Sequence, residues 1–125
     1  MNLFLDTHVL LWWLDDNSRL SKQAKNYIAD VDNIIFVSAV VIWEIRIKEA
    51  LGKLEIAPDF FNIVKQQGFE ILSITAQHAN KVGDIPMHHR DPFDRMLIAQ
   101  AIEESLTIVT HDRAFKAYEI PLIEA

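Results

Sequence analysis

The chain has 125 residues, 50% hydrophobic and 24% charged, with a net charge of −6 and no cysteine. This is the size and composition of one globular domain, 1–125, with enough chain to bury a real core. It excludes a disordered polymer, a disulfide scaffold and a thiolate metal site. The apolar opening Leu3–Leu14 is interrupted by Asp6, has no basic leader and is too short to span a bilayer. Neither a signal peptide nor a membrane segment is expected, and the lack of cysteine fits a cytoplasmic setting.

In chain order, residues 2–5 read as a short buried strand, and His8–Leu14 and Lys22–Val31 as helices. Ile34–Val37 is a second strand, rich in β-branched and aromatic residues. Ala39–Leu51 is a helix ended by Gly52. Pro58 starts a helix that stops at Gly68. Glu70–Ile74 is a third strand and Ala76–Gly83 a helix. Asp91-Pro92 opens a helix running to about Ser105. Thr107–Val109 is a fourth strand, and Ile120–Ile123 reads as a fifth. No repeat, linker or low-complexity tract interrupts the series. Strands alternating with helices imply an α/β fold, a three-layer α/β/α sandwich on a mostly parallel, Rossmann-like sheet of four to five strands. In such sheets the functional crevice lies beyond the carboxyl ends of the strands, where strand order reverses.

Four acids stand in apolar surroundings. Asp6 follows Asn2–Leu5, Glu44 lies inside Val40–Ile47, Asp94 opens the stretch before Met96–Ala99, and Asp112 follows Leu106–Thr110. An unpaired carboxylate there takes up a proton or needs a counter-charge, and a hard divalent cation is the obvious one for converging carboxylates. Asp6 and Asp112 face each other if the first and fourth strands are neighbours. Each acid also has a plainer reading. Asp6 would cap the helix beginning near His8, unless Thr7 caps it and leaves Asp6 free. Glu44 lies on the helical stripe Val40, Glu44, Ile47, Leu51, but would also pair with Lys48 four residues on. Pro92 at the first helical position makes Asp91 the N-cap and Asp94 a first-turn acid suited to the helix dipole. Asp112 would cap a short turn at Arg113–Ala117.

Other signals are weaker. The five histidines, His88-His89 included, have no HExxH spacing and read as loop or surface residues. Trp12, Trp13 and Trp43 read as core or interface packing. With three glycines there is no phosphate-cradling loop, and no GxSxG elbow occurs. The acidic balance disfavours a broad nucleic-acid field, but four of the six net negative charges are the proposed ligands. Arg46, Lys48, Lys53, Arg90, Arg95 and Arg113 could serve a nucleic-acid contact locally.

Taken together, Leu5–Trp12, Ser38–Ile45 with Lys48 and Gly52-Lys-Leu54, His89–Ala101 and Leu106–Asp112 resemble the PIN-domain ribonucleases, most closely the VapC-type toxins of bacterial toxin–antitoxin pairs. The resemblance spans nearly the whole chain. It places the family's acidic quartet on Asp6, Glu44, Asp94 and Asp112, with Asp94 rather than Asp91 as the third acid. Thr7, Ser38 and Thr110 match hydroxyl positions that bind water or order the carboxylates. It implies a Mg²⁺- or Mn²⁺-dependent endoribonuclease acting on single-stranded or looped RNA, with 5′-phosphate and 3′-hydroxyl products. It also implies a homodimer and an antitoxin whose C-terminal segment covers the acidic groove. The alternatives are an RNA-processing nuclease without a toxin role and a non-catalytic PIN-like binding module. A haloacid-dehalogenase-type phosphotransferase needs an aspartate two residues after Asp6, where this chain has His8.

Overall fold

The computed structural model describes all residues from Met1 to Ala125. Its five strands are β1 (Asn2–Leu5), β2 (Ile34–Ser38), β3 (Glu70–Leu72), β4 (Thr107–Thr110) and β5 (Leu122–Glu124). They form one sheet in the order β3-β2-β1-β4-β5, and every neighbouring pair is parallel. The helices are α1 (Thr7–Leu14), α2 (Lys22–Ala29), α3 (Ala39–Ala50), α4 (Phe60–Gln66), α5 (Ala76–Lys81) and α6 (Pro92–Glu104), with 3₁₀ turns at Val82–Asp84 and Arg113–Ala117. No helix is long and apolar enough to cross a membrane.

Side chains alternate between the faces of a strand, so burial along a strand tests whether both faces are covered. Leu3, Phe4 and Leu5 of β1 are all fully buried, as are Ile108 and Val109 of β4. The central strands are therefore covered by helices on both sides, as the expected three-layer sandwich requires. The outer strands are short, which limits exposed pairing edges.

Differences from the expected boundaries have local causes. Residues 58–59 form a turn, and α4 begins only at Phe60. β3 stops at Leu72, because this edge strand pairs with β2 only over Glu70–Leu72. β5 starts at Leu122 because Pro121 has no N–H for the ladder; its carbonyl accepts from the Ile108 N–H instead. α6 ends at Ser105, whose left-handed backbone (φ 54°) terminates the helix just before β4.

The strand order positions the site. From β1 the chain steps outward to β2 and β3, then crosses back to place β4 on the other side of β1. Strand order thus reverses between β1 and β4, whose paired register runs Leu3↔Thr107 to Leu5↔Val109. The carboxyl ends of these two strands open one crevice, and Asp6 and Asp112 follow them. The adjacency on which their meeting depended is present.

Candidate active site

Asp6 ends β1 and is the N-cap of α1, so Thr7 is the first helical residue rather than the cap. The Val9 N–H donates to Asp6 Oδ1 (2.9 Å), while the Thr110 hydroxyl donates to Asp6 Oδ2. The carboxylate is 5% exposed. Burial raises its pKa above the ordinary carboxylate value, the Thr110 and Val9 hydrogen bonds pull it back, and Asp112 pushes it further up.

Glu44 is 4% exposed, on the face of α3 that also buries Val40. Both of its oxygens are held: the Thr7 hydroxyl donates to Oε1 (2.7 Å) and Lys48 Nζ to Oε2 (2.5 Å). The pairing with Lys48 and the inward orientation are therefore both real. Leu51, the last member of the apolar stripe, is exposed instead.

Asp91 caps α6, its Oδ1 accepting from the N–H groups of Phe93 (2.8 Å) and Asp94 (3.1 Å). This leaves the Asp94 side chain free to point into the crevice. Burial first, then the charges of Asp91, Glu44 and Asp6, push the Asp94 carboxyl up to about 7; His89 pulls it partly down. Three other acids thus lie within electrostatic reach of Asp94. Asp112 caps the turn at Arg113–Ala117 through Oδ1, which accepts from the Ala114 N–H (2.9 Å), and turns Oδ2 toward the same crevice.

His89 is a loop residue, as expected of the histidines, but it is half-buried and faces the acids. Its Nε2 lies 2.8 Å from Asp94 Oδ2 and 3.4 Å from Asp112 Oδ2. These contacts have ion-pair distances but not hydrogen-bond alignment, so the buried Nε2 has no hydrogen-bond partner. The Asp91 N–H donates to Nδ1 (3.3 Å), so the neutral ring carries its proton on Nε2, facing the carboxylates. Arg95 and Tyr118 hold the residue in place. The Arg95 guanidinium donates to the carbonyls of Val82 (3.0 Å), Pro86 (3.0 Å) and His89 (3.3 Å), and the His89 N–H donates to the Tyr118 hydroxyl (2.9 Å). Arg95 is only 7% exposed and is therefore spent on structure, not available to RNA. Arg46 and Lys48 are likewise engaged, by Glu49 and Glu44.

Of the three hydroxyls, Thr7 and Thr110 each donate to a carboxylate of the site. Ser38 does not. Its Oγ caps α3 by accepting from the Val40 N–H and donates to Gln100 Oε1 (2.6 Å). Gln100 Nε2 lies 3.2 Å from Nδ1 of His78, which is 1% exposed. His78 is thus a second histidine away from the surface, buried in a satisfied network that also takes in Glu104.

The donor set fits a hard divalent cation. One oxygen each of Asp94 and Asp112 and the His89 nitrogen lie within 4.8 Å of one another, with Asp6 and Glu44 adjoining. Carboxylate oxygens suit Mg²⁺ or Mn²⁺, and His89, with its proton on Nε2, stands beside them as a donor rather than a ligand.

A model of the PIN domain matches residues 3–121, and the chain belongs to this family. It is 28% identical over 122 residues to Ribonuclease VapC22 of Mycobacterium tuberculosis, covering 95% of this chain and 93% of that protein. Its fold resembles the crystal structure of VapBC2 from Rickettsia felis bound to a DNA fragment from their promoter (TM-score 0.75, 18% identity, 98% of each chain). It also resembles a toxin–antitoxin complex from Klebsiella pneumoniae (TM-score 0.66, 19% identity, 98% of this chain and 96% of that one). The expected likeness to VapC-type proteins is met by these relatives.

Proposed function

We propose that this chain is a metal-dependent endoribonuclease and the toxin of a toxin–antitoxin pair. The observation that carries the reading is the acidic crevice at the β1–β4 switch point. There Asp94 is pushed to about 7, by burial first and then by the charges of Asp91, Glu44 and Asp6. Like charges gathered this way are a cost to the fold unless a cation uses them. Asp94 and Asp112 would hold Mg²⁺ or Mn²⁺, with Asp6 as a direct or water-mediated ligand. Such an ion supplies Lewis acidity toward a phosphodiester.

The chain's own side chains set the rest. Thr110 fixes the rotamer of Asp6, and the Val9 N–H fixes it from the other side. Thr7 and Lys48 hold Glu44 so that its carboxylate is oriented before substrate arrives; it is the group we assign to orienting the attacking water or a second cation. His89 stands between Asp94 and Asp112 and faces both carboxylates with Nε2. The name of VapC22 supports the choice of RNA, and the Klebsiella complex supports an antitoxin partner.

A protein partner is also favoured by an apolar hollow of about 450 Å³ between α3 and α6, where Trp43 and Met87 are exposed. A homodimer would cover such a surface. An antitoxin segment would lay a basic side chain into the acidic groove in place of the cation's charge.

The test is cleavage of single-stranded RNA by purified protein. Cutting should require Mg²⁺ or Mn²⁺ and stop in EDTA. Undiminished cutting after thorough chelation would overturn the metal-dependent reading. RNA binding without cutting under any divalent ion would leave a binding module.

A further inference from the structure

We propose that the groove between α1 and the turn after β4 is a nucleotide subsite, in which an unstacked base of single-stranded RNA lies against Trp12 and His111 while Arg19 meets the backbone. The proposal deepens the nuclease reading and rests on it for the choice of RNA. The groove is a cavity of about 280 Å³ lined by Asp6, His8, Trp12, Arg19, His111 and Asp112. Two of the site's acids form part of its wall. A nucleotide seated there has its backbone at those acids without further reach.

The remaining wall has the chemistry that binds a base without reading a duplex. His8 and Trp12 are four residues apart on α1 and so share a face. Their ring centroids lie 6.0 Å apart, and the His111 ring stands edge-on to Trp12 at 5.5 Å. Trp12 is half-buried and packs on the core, so it is a fixed platform, whereas His8 and His111 are exposed. Aromatic faces on rigid elements are what single-stranded nucleic acids stack on. Arg19 is exposed and takes part in none of the chain's ion pairs. In a chain of net charge −6, an unpaired arginine at the lip of the acidic crevice is a local anchor for phosphate. A tryptophan kept only for packing would not line a groove in which the other five residues are polar or charged. A basic peptide is the competing occupant, since an arginine could stack on Trp12 and reach Asp6. Arg19 stands against it by charge.

The probes are the four single-stranded RNA homotetramers, each labelled with fluorescein. They are titrated in Ca²⁺, which takes the same oxygen ligands. Affinity is read by anisotropy and stacking by quenching of tryptophan emission. The best-bound tetramer should quench the wild-type protein. Trp12→Phe should abolish most of the quenching while keeping most of the affinity. Trp12→Ala should weaken binding about tenfold or more. Arg19→Gln, at an exposed position that leaves the fold intact, should weaken it several-fold and flatten its salt dependence. The proposal is overturned if the wild type binds no tetramer, if quenching survives Trp12→Phe, or if Arg19→Gln binds with unchanged affinity and salt slope. It is also overturned if an arginine-rich peptide quenches Trp12 and no RNA does. Cleavage is assayed separately. Trp12-dependent binding without cleavage keeps the subsite and sinks the nuclease; cleavage with Trp12-independent binding does the reverse.

Discussion

Asp6 and Asp112 each give one oxygen to the backbone N–H of a turn or helix start and turn the other into the crevice. Capping and site-building, which a sequence presents as rival explanations, are compatible because a carboxylate has two oxygens. At the third position the labour is split between residues: Asp91 caps, and Asp94 projects. Asp94→Asn should abolish RNA cleavage while leaving metal-free stability unchanged or higher, because it removes a crowded charge. Asp91→Ala should keep most activity and lose about 1 kcal/mol of stability with the cap. Cleavage and metal-free thermal unfolding of both variants check this; an active Asp94→Asn would show that the third acid is misassigned. His89 opens the third stretch of the resemblance, but its place beside the acids was not legible, because no metal-ligand spacing marks it. It reaches the crevice only through the buried Arg95 fork and the Tyr118 hydroxyl, partners it acquires from α6 and from a loop 29 residues away.

Among the elements, those with strong local signals were readable. α3 and α6 start and stop where Ser38, Gly52 and Asp91-Pro92 place them. The two starts misplaced by two residues, those of α4 and β5, both involve proline, which permits a turn as readily as a helix start and cannot donate within a strand. The segment between α5 and α6 has no periodicity, and its shape is imposed from outside by Arg95. A lysine there would carry the charge but not the planar fork that reaches three carbonyls at once. Arg95→Lys should therefore lower the unfolding temperature by several degrees and release His89, raising the exchange of backbone amides over 85–90. If those amides stay as protected as in the wild type, Arg95 is not what holds the loop. Replacing Gln100 by Leu is a second test of tertiary wiring. It strips the Ser38 hydroxyl and His78 of a partner, and should cost roughly 1–3 kcal/mol.

At the scale of the whole molecule, the parallel sheet and a crevice beyond the carboxyl ends of its strands were legible, because alternation of strands and helices leaves few other architectures. The neighbourhood of β1 and β4 was not, since strand order is a tertiary choice. The crowding that follows makes stability depend on pH. Asp94 titrates near 7 in the fold against an ordinary 3.8, so the folded state holds that proton more tightly than the unfolded chain. The group's penalty is absent below about pH 4, grows between about 4 and 7, and is complete above. In chelator, the unfolding temperature of Asp94→Asn should exceed that of the wild type by a margin that widens from pH 5 to 8; a margin independent of pH would contradict it. Added Mn²⁺ should then stabilise the wild type more at pH 8 than at pH 6, because the ion competes with that proton. The strand order has a further consequence. The contact between Asp6 and Thr110 joins positions 104 residues apart. Synthesis is vectorial, and a nascent chain that has reached only Leu106 has its central strand unpaired on one side and lacks both Thr110 and Asp112. A ribosome translating this message would therefore carry an inert product until β4 and the turn after it have emerged. On the proposed activity, the cell would meet no competent nuclease before that point, which is also the first at which an inhibitor has a finished groove to bind.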